Sequence, residues 1–239
     1  MILCADVGET FEDKSVGFDS EVIPFVDIAN IACGGHGGTY ESITTAIELT
    51  RENGVKIAAH PSYVDPEHFG RRSIDIESKV LKKQLKDQFS YLCELTGEEP
   101  KLIKAHGALY NDMFSNRKIA QTFLEAFEEV ADETTFIGAP RSSLEGLCIE
   151  NNIAFMKEGF ADRRYLDDAS LAPRTQGGSQ LIDIDEILEQ VASIAKASTV
   201  VAESGNKVDL IVDVICFHGD HRPSIEALAK LFEMRNEFQ

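Results

Sequence analysis

Short apolar runs that alternate with amphipathic segments are the feature of this sequence that most restricts its fold. Most of the runs are apolar on both faces, a pattern typical of strands in a parallel sheet. Helical patterns separate most of them, so the sequence predicts an α/β fold. Right-handed crossovers then allow either a closed barrel or an open, doubly wound sheet, and the residues alone leave both open. The seven runs are 2–8, 27–34, 55–61, 101–107, 135–140, 154–162 and 210–220.

Three connecting segments carry clear helical signals. Residues 75–95 repeat apolar side chains at helical spacing. Residues 223–235 do the same behind Pro223, a residue well suited to a first helical turn. Gly54 lies where a helix over 40–53 is expected to stop.

The connection between the first two runs is different. Residues 9–26 contain Pro24 and have a poor helical period, so we predict a long loop with at most a short helix. No linker rich in proline, glycine or serine divides the chain. We therefore predict a single domain over residues 1–239.

Composition argues against several classes of function. The chain has 239 residues, of which 43% are hydrophobic, enough for a substantial core. It carries 23 Lys and Arg against 41 Asp and Glu, a net charge of −18 that repels phosphate backbones and anionic membranes. We therefore expect neither a nucleic-acid nor a membrane partner. No apolar run approaches the ~20 residues of a membrane span and no signal peptide is recognisable, so a cytoplasmic location is expected.

The five cysteines agree with that location. They are odd in number, widely spaced and free of any C-x-x-C pair, which argues against a disulfide framework and a thiolate zinc site. Cys4, Cys33 and Cys216 lie inside apolar runs. We interpret them as small buried hydrophobic residues.

Polar and ionisable residues end most of the predicted strands. In parallel α/β folds the carboxyl ends of the strands form the ligand-binding face, so residues scattered in sequence converge there. The sequence therefore predicts a polar site at this face. Its candidates are Asp6, Glu9, Asn30, His36, His60, Lys104, His106, Glu158, Asp162, Arg163, His218 and Asp220.

Four of the six histidines follow an apolar strand within a few residues. This arrangement suits proton transfer near neutral pH, metal binding, or both. If a divalent metal is bound, Asp6 with two of His36, His60 and His106 is the expected ligand set. No H-E-x-x-H motif supports that choice, so the metal stays an alternative. The other two histidines, His68 and His221, lie in polar loops and are weaker candidates.

Two arginine doublets stand out in an acidic chain. "HFGRRS" follows the third run and "FADRRY" ends the sixth. We expect one arginine of each doublet, Arg71 or Arg72 and Arg163 or Arg164, to face a small carboxylate or phosphate. Lys104, at a strand end, is expected to neutralise a developing anion or a substrate carboxylate.

Seven motifs carry a resemblance to a known family. "CADVGE", "NIACGGHGG", "AAHPSYVD", "FGRRS", "KAHGALYND", "EGFADRRY" and "FHGD" occur in this order along nearly the whole chain. In their order and approximate spacing they resemble the LamB/YcsF lactam-utilization family, which includes the A component of 5-oxoprolinase.

This resemblance implies a fold and an activity. Members of the family resemble seven-stranded, TIM-like (β/α) barrels related to sugar-polymer deacetylases, so the resemblance favours the barrel over the open sheet. Its 5-oxoprolinase members open the lactam 5-oxoproline to L-glutamate with ATP hydrolysis, together with two further subunits. By resemblance, the expected catalytic residues are Asp6, His60, Lys104, His106 and His218. The expected substrate-binding residues are Glu9, Asn30, His36, Arg72, Asn111, Glu158, Asp162, Arg163 and Asp220.

The expected cofactor, ATP, has no obvious binding loop in this chain, because no G-x-x-x-x-G-K-[ST] motif is present. Either "GGHGG" offers backbone N–H groups to an anion, or partner subunits hold the nucleotide. We favour the second alternative. A metal-dependent, deacetylase-like hydrolase and a non-catalytic partner subunit are the alternative functions. A homo-oligomer is possible as well.

The sequence also departs from the family pattern. Ile2 and Cys4 stand where an aspartate and an asparagine are expected, which weakens any metal or substrate contact carried over to the first strand. Gly35 replaces a phenylalanine before His36, which predicts a roomier pocket than in the relatives. A divergent substrate is therefore an open alternative.

Overall fold

Seven parallel strands close into a barrel in the computed structural model, which describes residues 1–11, 14–130, 133–174 and 176–237. Its strands are β1 (Ile2–Val7), β4 (Ile28–Ala32), β5 (Lys56–His60), β6 (Leu102–Lys104), β7 (Thr135–Gly138), β8 (Ala154–Phe160) and β11 (Val214–His218). Around the barrel these strands follow the order β1, β11, β8, β7, β6, β5 and β4. The closed barrel is therefore confirmed over the open sheet.

The strands form where the sequence is apolar on both faces. Every residue of β4 and β11 is buried, as expected for strands covered by side chains inside and helices outside. All seven predicted runs contain a barrel strand. Two short hairpins lie outside the barrel, β2 (Thr10–Phe11) with β3 (Lys14–Ser15) and β9 (Thr199–Val201) with β10 (Lys207–Asp209).

Eight α-helices occur in the described residues. They are α1 (Asp19–Val22), α2 (Tyr40–Glu52), α3 (Ser78–Thr96), α4 (Gly107–Ser115), α5 (Arg117–Ala126), α6 (Ser143–Glu150), α7 (Ile184–Ala197) and α8 (Arg222–Glu237). The three predicted helices correspond to α2, α3 and α8. Thr39 caps α2 through a reciprocal capping box with Ser42, which satisfies backbone N–H groups at the helix start. Within the described ranges, no helix is long and apolar enough to cross a membrane.

The predicted loop over 9–26 is more structured than expected. It carries the β2–β3 hairpin, the one-turn helix α1 and a 3₁₀ turn over Ile23–Phe25 that contains Pro24. Two residues of this segment, 12 and 13, lie outside the described part of the chain. Proline is compatible with the first positions of such a turn because its missing N–H has no helical partner there.

Strand register brings the polar strand ends together. Asp6 on β1 pairs with His218 on β11 and, on its other side, with Asn30 on β4. On the next strand, His60 is opposite Ala32. Because the strands are parallel, their carboxyl ends meet at one end of the barrel, where the polar residues surround a common space.

Candidate active site

A cavity of about 430 Å³ opens at the carboxyl end of the barrel. Carboxylates, imidazoles and an ammonium group lie on its barrel side, while arginines and an aspartate lie on the loops that cover it. Most of the predicted site residues line it. The polar and aromatic lining consists of Asp6, Glu9, His60, Arg71, Lys104, His106, Tyr110, Asn111, Phe160, Arg163, Arg174, His218 and Asp220.

Lys104 is the buried cation of the site. Its Nζ lies 2.7 Å from Asp6 Oδ1, 2.9 Å from Glu158 Oε1 and 3.2 Å from Cys216 Sγ. Burial alone would lower the pKa of Lys104, but the charge of Asp6 outweighs burial and raises this pKa well above its usual value. For Asp6, burial acts to raise the pKa, and the charges of His60 and Lys104 outweigh it, so this pKa lies well below its usual value. The cluster therefore holds a charged lysine beside the ionised Asp6 and within ion-pair distance of Glu158.

Three histidines and Glu9 form a second cluster beside Lys104. Glu9 Oε1 lies 2.9 Å from His36 Nε2 and 3.2 Å from His106 Nδ1, and the rings of His36 and His106 stack with their centroids 3.6 Å apart. Burial lowers the pKa of His106. Burial also lowers the pKa of His36 to about 4, and the charge of His106 acts in the same direction. Burial would raise the pKa of Glu9, but hydrogen bonds from His106 and His36 outweigh it and hold the pKa below its usual value.

Backbone carbonyls set the tautomers of two of these rings. His60 Nδ1 lies 2.9 Å from the Lys104 carbonyl, and His106 Nε2 lies 3.0 Å from the Phe69 carbonyl. A carbonyl only accepts, so both of these nitrogens carry hydrogen. The remaining nitrogens, His60 Nε2 and His106 Nδ1, lie 3.0 Å apart, and His106 Nδ1 also lies 3.2 Å from Glu9 Oε1. A hydrogen shared among these three atoms, or a bound cation, would satisfy the contact.

His218 and Asp162 form a separate pair on the other side of Lys104. Asp162 is completely buried, and its Oδ1 lies 2.7 Å from His218 Nδ1. Burial would raise the pKa of Asp162, but the charge and hydrogen bond of His218 outweigh it and keep this pKa below its usual value. An ionised Asp162 accepts hydrogen from Nδ1, so the opposite nitrogen of His218 is available for proton transfer in the cavity that His218 lines.

Three arginines lie on the loop side of the cavity. Asp220 Oδ2 lies 3.3 Å from Arg71 and 3.8 Å from Arg174, so a single carboxylate neutralises part of two guanidinium charges. The buried Arg163 donates to the main-chain carbonyls of Ala172 and Ser179. Burial lowers the pKa of Arg163 to about 10 and also lowers that of Arg71, with repulsion from Arg174 adding to both. This excess of positive charge in a chain of net charge −18 suits an anionic ligand.

Comparison with known proteins identifies the family. The family model described as LamB/YcsF matches residues 1–238. The chain belongs to the LamB/YcsF family. Among curated relatives, the A component of 5-oxoprolinase from Natranaerobius thermophilus is 33% identical over 238 residues, covering 98% of this chain and 93% of the relative.

Solved structures agree with that assignment. The lactam utilization protein of Thermus thermophilus superposes with a TM-score of 0.89 at 28% identity, covering 99% of this chain and 97% of the other. A family 4 carbohydrate esterase from Streptomyces lividans superposes with a TM-score of 0.51 at 10% identity, covering 98% and 85%. The second likeness is one of fold alone, and it relates the LamB/YcsF barrel to deacetylase-type barrels.

Several residues expected to bind substrate lie behind the cavity wall. Asn30 donates to Asp6 Oδ1 at 2.9 Å, His36 contacts Glu9, and both are completely buried. Glu158 and Asp162 hold Lys104 and His218 in the same way. These four residues contact groups that face the cavity and do not themselves line it.

The structure favours Arg71 over Arg72 as the ligand-facing arginine of the first doublet. Arg72 points away from the cavity, with 59% of its side chain exposed, and pairs with Asp65 at 3.3 Å. His68, a weaker sequence candidate, binds the same carboxylate on the surface. Consecutive side chains diverge here because the loop turns sharply at Gly70, whose φ is +61°.

Gly35 does not enlarge the pocket, so that expectation is wrong. A Cβ at Gly35 would lie 2.1 Å from Gln88 Oε1 and 2.6 Å from Ser62 Oγ, away from the cavity lining. The Gln88 amide fills this space and bonds the backbone N–H and carbonyl of Ser62. The replacement of phenylalanine by glycine thus accommodates a buried amide beneath the histidine loop.

Sequence reasoning missed Arg174, Tyr110 and Phe160 as cavity residues. The only signal for Arg174 was a lone arginine after Pro173 in a polar loop, which many surface positions share. Tyr110 lies inside the "KAHGALYND" motif, one helical turn after His106, but its direction depends on how α4 packs. The cysteines fit the interpretation as buried hydrophobic residues, since four are buried and all five are free.

Proposed function

We propose that this chain is the lactam-opening subunit of an ATP-dependent 5-oxoprolinase, which converts 5-oxoproline to L-glutamate. The names of the relatives support the lactam and the subunit role. The observation that carries the proposal is the composition of one cavity, which combines acid–base groups with three arginines. A cyclic amide bearing a carboxylate needs both.

An unactivated lactam resists hydrolysis because amide resonance reduces the electrophilicity of its carbonyl carbon. ATP-dependent phosphorylation of the amide oxygen would remove this protection. Water would then add to the carbon and lose a proton, the C–N bond would break, and the nitrogen would gain a proton, which leaves an acyl phosphate. A second water molecule would hydrolyse this acyl phosphate to the carboxylate of glutamate and inorganic phosphate. A base, an acid and stabilisation of negative charge are therefore required at one place.

The residues of the cavity suit these three roles. Asp6 and His60, 3.3 Å apart, are proposed to take the proton from water. His218, oriented by its 2.7 Å contact with Asp162, is proposed to protonate the leaving nitrogen. Lys104 is proposed to stabilise the oxygen that becomes negatively charged, with His106 completing the proton-transfer cluster.

Arg71 and Arg174 are proposed to bind the substrate carboxylate. Replacing Arg174 with glutamine should raise KM for 5-oxoproline about 10- to 100-fold with a smaller effect on kcat, because a charged hydrogen bond contributes ~1.5–3 kcal/mol. Arg72→Gln, which removes a guanidinium outside the cavity, is the matched control and should leave both constants unchanged. Steady-state kinetics in which Arg72→Gln raised KM more than Arg174→Gln would contradict this assignment.

We propose that two further subunits, rather than this chain, bind the nucleotide. Besides lacking a phosphate-binding loop in its sequence, the chain keeps the glycines of "GGHGG" out of the cavity lining. Gly38 N–H donates to the Thr10 hydroxyl at 2.9 Å, so that donor is already used within the fold. Calorimetric titration of the isolated chain with ATP should therefore detect no tight binding.

The decisive experiment is an assay of ATP-dependent glutamate formation from 5-oxoproline. The purified chain should be inactive alone and active when combined with two candidate partner subunits. Omitting this chain from the mixture should abolish the product. Glutamate formation that continued without it would refute the proposal.

The histidine cluster favours a second candidate, a metal-dependent hydrolase. Glu9, His36, His60 and His106 place four ligand atoms within 4.8 Å of one another, with Glu9 taking the place expected for Asp6. A tetrahedral ion with bonds of ~2.0–2.1 Å holds its ligand atoms roughly 3.3 Å apart. The three histidine nitrogens lie at a similar distance, 2.9–4.0 Å, from Glu9 Oε1. The adjacent nitrogens of His60 and His106, 3.0 Å apart, suit such an ion, which would polarise a carbonyl or a water molecule when bound.

Elemental analysis tests the metal candidate directly. If the candidate is right, the purified chain carries about one transition-metal ion, and Co²⁺ added after chelation produces a visible absorption band. His106→Gln should abolish both signals, whereas His68→Gln, on the surface, should not. A metal-free chain with no Co²⁺ spectrum would exclude a metal at this cluster.

A further inference from the structure

Asp220 supplies a negative charge to the arginine-rich side of the cavity. Its Oδ2 atom lies 3.3 Å from Arg71 Nη2 and 3.8 Å from Arg174 Nη1, so two guanidinium groups approach the same oxygen. Among the described residues that line the cavity, Asp220 is the only carboxylate in an ion pair with an arginine. None of the roles proposed above uses it.

The three residues lie on three different loops at the carboxyl end of the barrel. Arg71 lies between β5 and α3, Arg174 between β8 and α7, and Asp220 between β11 and α8. Their side chains are 38%, 24% and 25% exposed, so water screens their charges only in part. Asp220 therefore connects loops that are far apart in sequence, and its charge remains effective inside the cavity that all three residues line.

These three side chains leave one positive charge without a partner. The two guanidinium groups carry two positive charges and Asp220 carries one negative charge. Repulsion between the arginines persists, because burial and then the charge of Arg174 lower the pKa of Arg71. Asp220 opposes this shift, and the more distant Glu9 opposes it less. The remaining charge matches one carboxylate.

The neighbouring charged groups do not alter this balance. Arg163, the third arginine of the cavity, has its own carboxylate in the adjacent Asp162, whose charge opposes the lowering of the Arg163 pKa by burial and Arg174. Glu9 Oε1 lies 2.9 Å from His36 and 3.2 Å from His106, so this carboxylate is used within the histidine cluster. The anion preference at the arginine pair therefore depends mainly on Asp220.

We propose that Asp220 is a specificity-determining residue that acts as an internal counter-ion and restricts the pair of Arg71 and Arg174 to a monoanionic carboxylate. The desolvation cost of an ion grows with the square of its charge, whereas its attraction to a fixed charge grows only linearly. A single unpaired positive charge therefore favours a monoanion, and Asp220 repels a phosphate dianion twice as strongly.

This preference has a use in the reaction proposed above. Inorganic phosphate is one of its products, and two arginines without a counter-ion would form a ready site for it. Asp220 would keep phosphate from the place of the substrate carboxylate. That use rests on the proposed function, whereas the anion preference itself does not.

Two small anions that differ in charge test the inference. Acetate is a monoanion, and methylphosphonate is a dianion at mildly alkaline pH. NMR titrations at constant ionic strength measure both affinities through the Nε–H signals of Arg71 and Arg174, which Arg71→Gln and Arg174→Gln assign. The natural chain should bind acetate more tightly than methylphosphonate. Asp220→Asn should raise the affinity for methylphosphonate relative to acetate about three- to tenfold, because the dianion loses twice the repulsion.

Glu186→Gln is the matched control. Glu186 pairs with Arg164 at 3.3 Å, and neither residue lines the cavity, so this variant removes the same charge from the chain elsewhere. It should leave the affinity ratio unchanged. An unchanged ratio in Asp220→Asn, a natural chain that prefers methylphosphonate, or no response of either arginine signal would overturn the inference. The natural chain alone decides if Asp220→Asn does not fold.

The same measurements separate this inference from the proposed function. A chain that shows the acetate preference, and loses it in Asp220→Asn, but fails the 5-oxoproline assay would refute only the function. Normal glutamate formation by a chain whose affinity ratio does not respond to Asp220→Asn would refute only the role of Asp220.

Discussion

Replacing Lys104 with methionine is expected to lower the free energy of unfolding by about 3–5 kcal/mol and to abolish turnover. Methionine fills a similar volume but leaves Asp6 and Glu158 without the cation that lies 2.7 and 2.9 Å from them. Buried carboxylates that lose their partner retain the full cost of desolvation. Lys104 also lines the cavity, so the charge proposed to stabilise the reacting oxygen is lost with it.

Chemical denaturation and kinetics on the same preparations check this expectation. Lys101→Met is the matched control, since Lys101 lies three residues upstream and forms an exposed pair with Glu133. It should alter neither stability nor activity appreciably. Adding Glu158→Gln to Lys104→Met should restore part of the stability, because one unpaired carboxylate is removed. A Lys104→Met variant as stable as the natural chain would contradict the buried ion cluster.

Replacing Asp6 with asparagine is expected to reduce kcat by about 10²- to 10⁴-fold while preserving the fold. Asparagine keeps the shape and can still accept from Lys104, but it cannot take a proton from water. Asp6 is also the residue on which three neighbours converge, through contacts with Asn30, His60 and Lys104. The loss should therefore appear in kcat rather than in KM.

Asp87→Asn provides the control for this substitution. Asp87 makes an exposed pair with Lys83 on α3, so the same chemical change there should leave kcat unaffected. His106→Ala should also be inactive, since His106 lies between Glu9 and His60. Activity retained in both Asp6→Asn and His106→Ala, measured in folded protein, would refute the acid–base assignment.

Arg71 and Arg72 illustrate where sequence reasoning reaches its limit. The doublet predicted one ligand-facing guanidinium, but adjacent side chains leave a loop in different directions, and loop conformation sets which one faces inward. Gly35 is a similar case, because its missing side chain is replaced by Gln88 from a helix more than 50 residues away. Both cases depend on the direction of a side chain rather than on the type of residue.

The sequence by itself determined the seven strands, the main helices and the set of polar strand ends, because periodicity and buried apolar runs are local properties of the chain. By resemblance it also predicted the barrel. Tertiary structure alone decided which polar groups face the cavity and which support them from behind, as with His218 and Asp162. It alone revealed Arg174 among the residues that line the cavity. The physical reason is that distance, burial and charge balance arise between residues far apart in sequence, whereas local patterns report only the segment in which they occur.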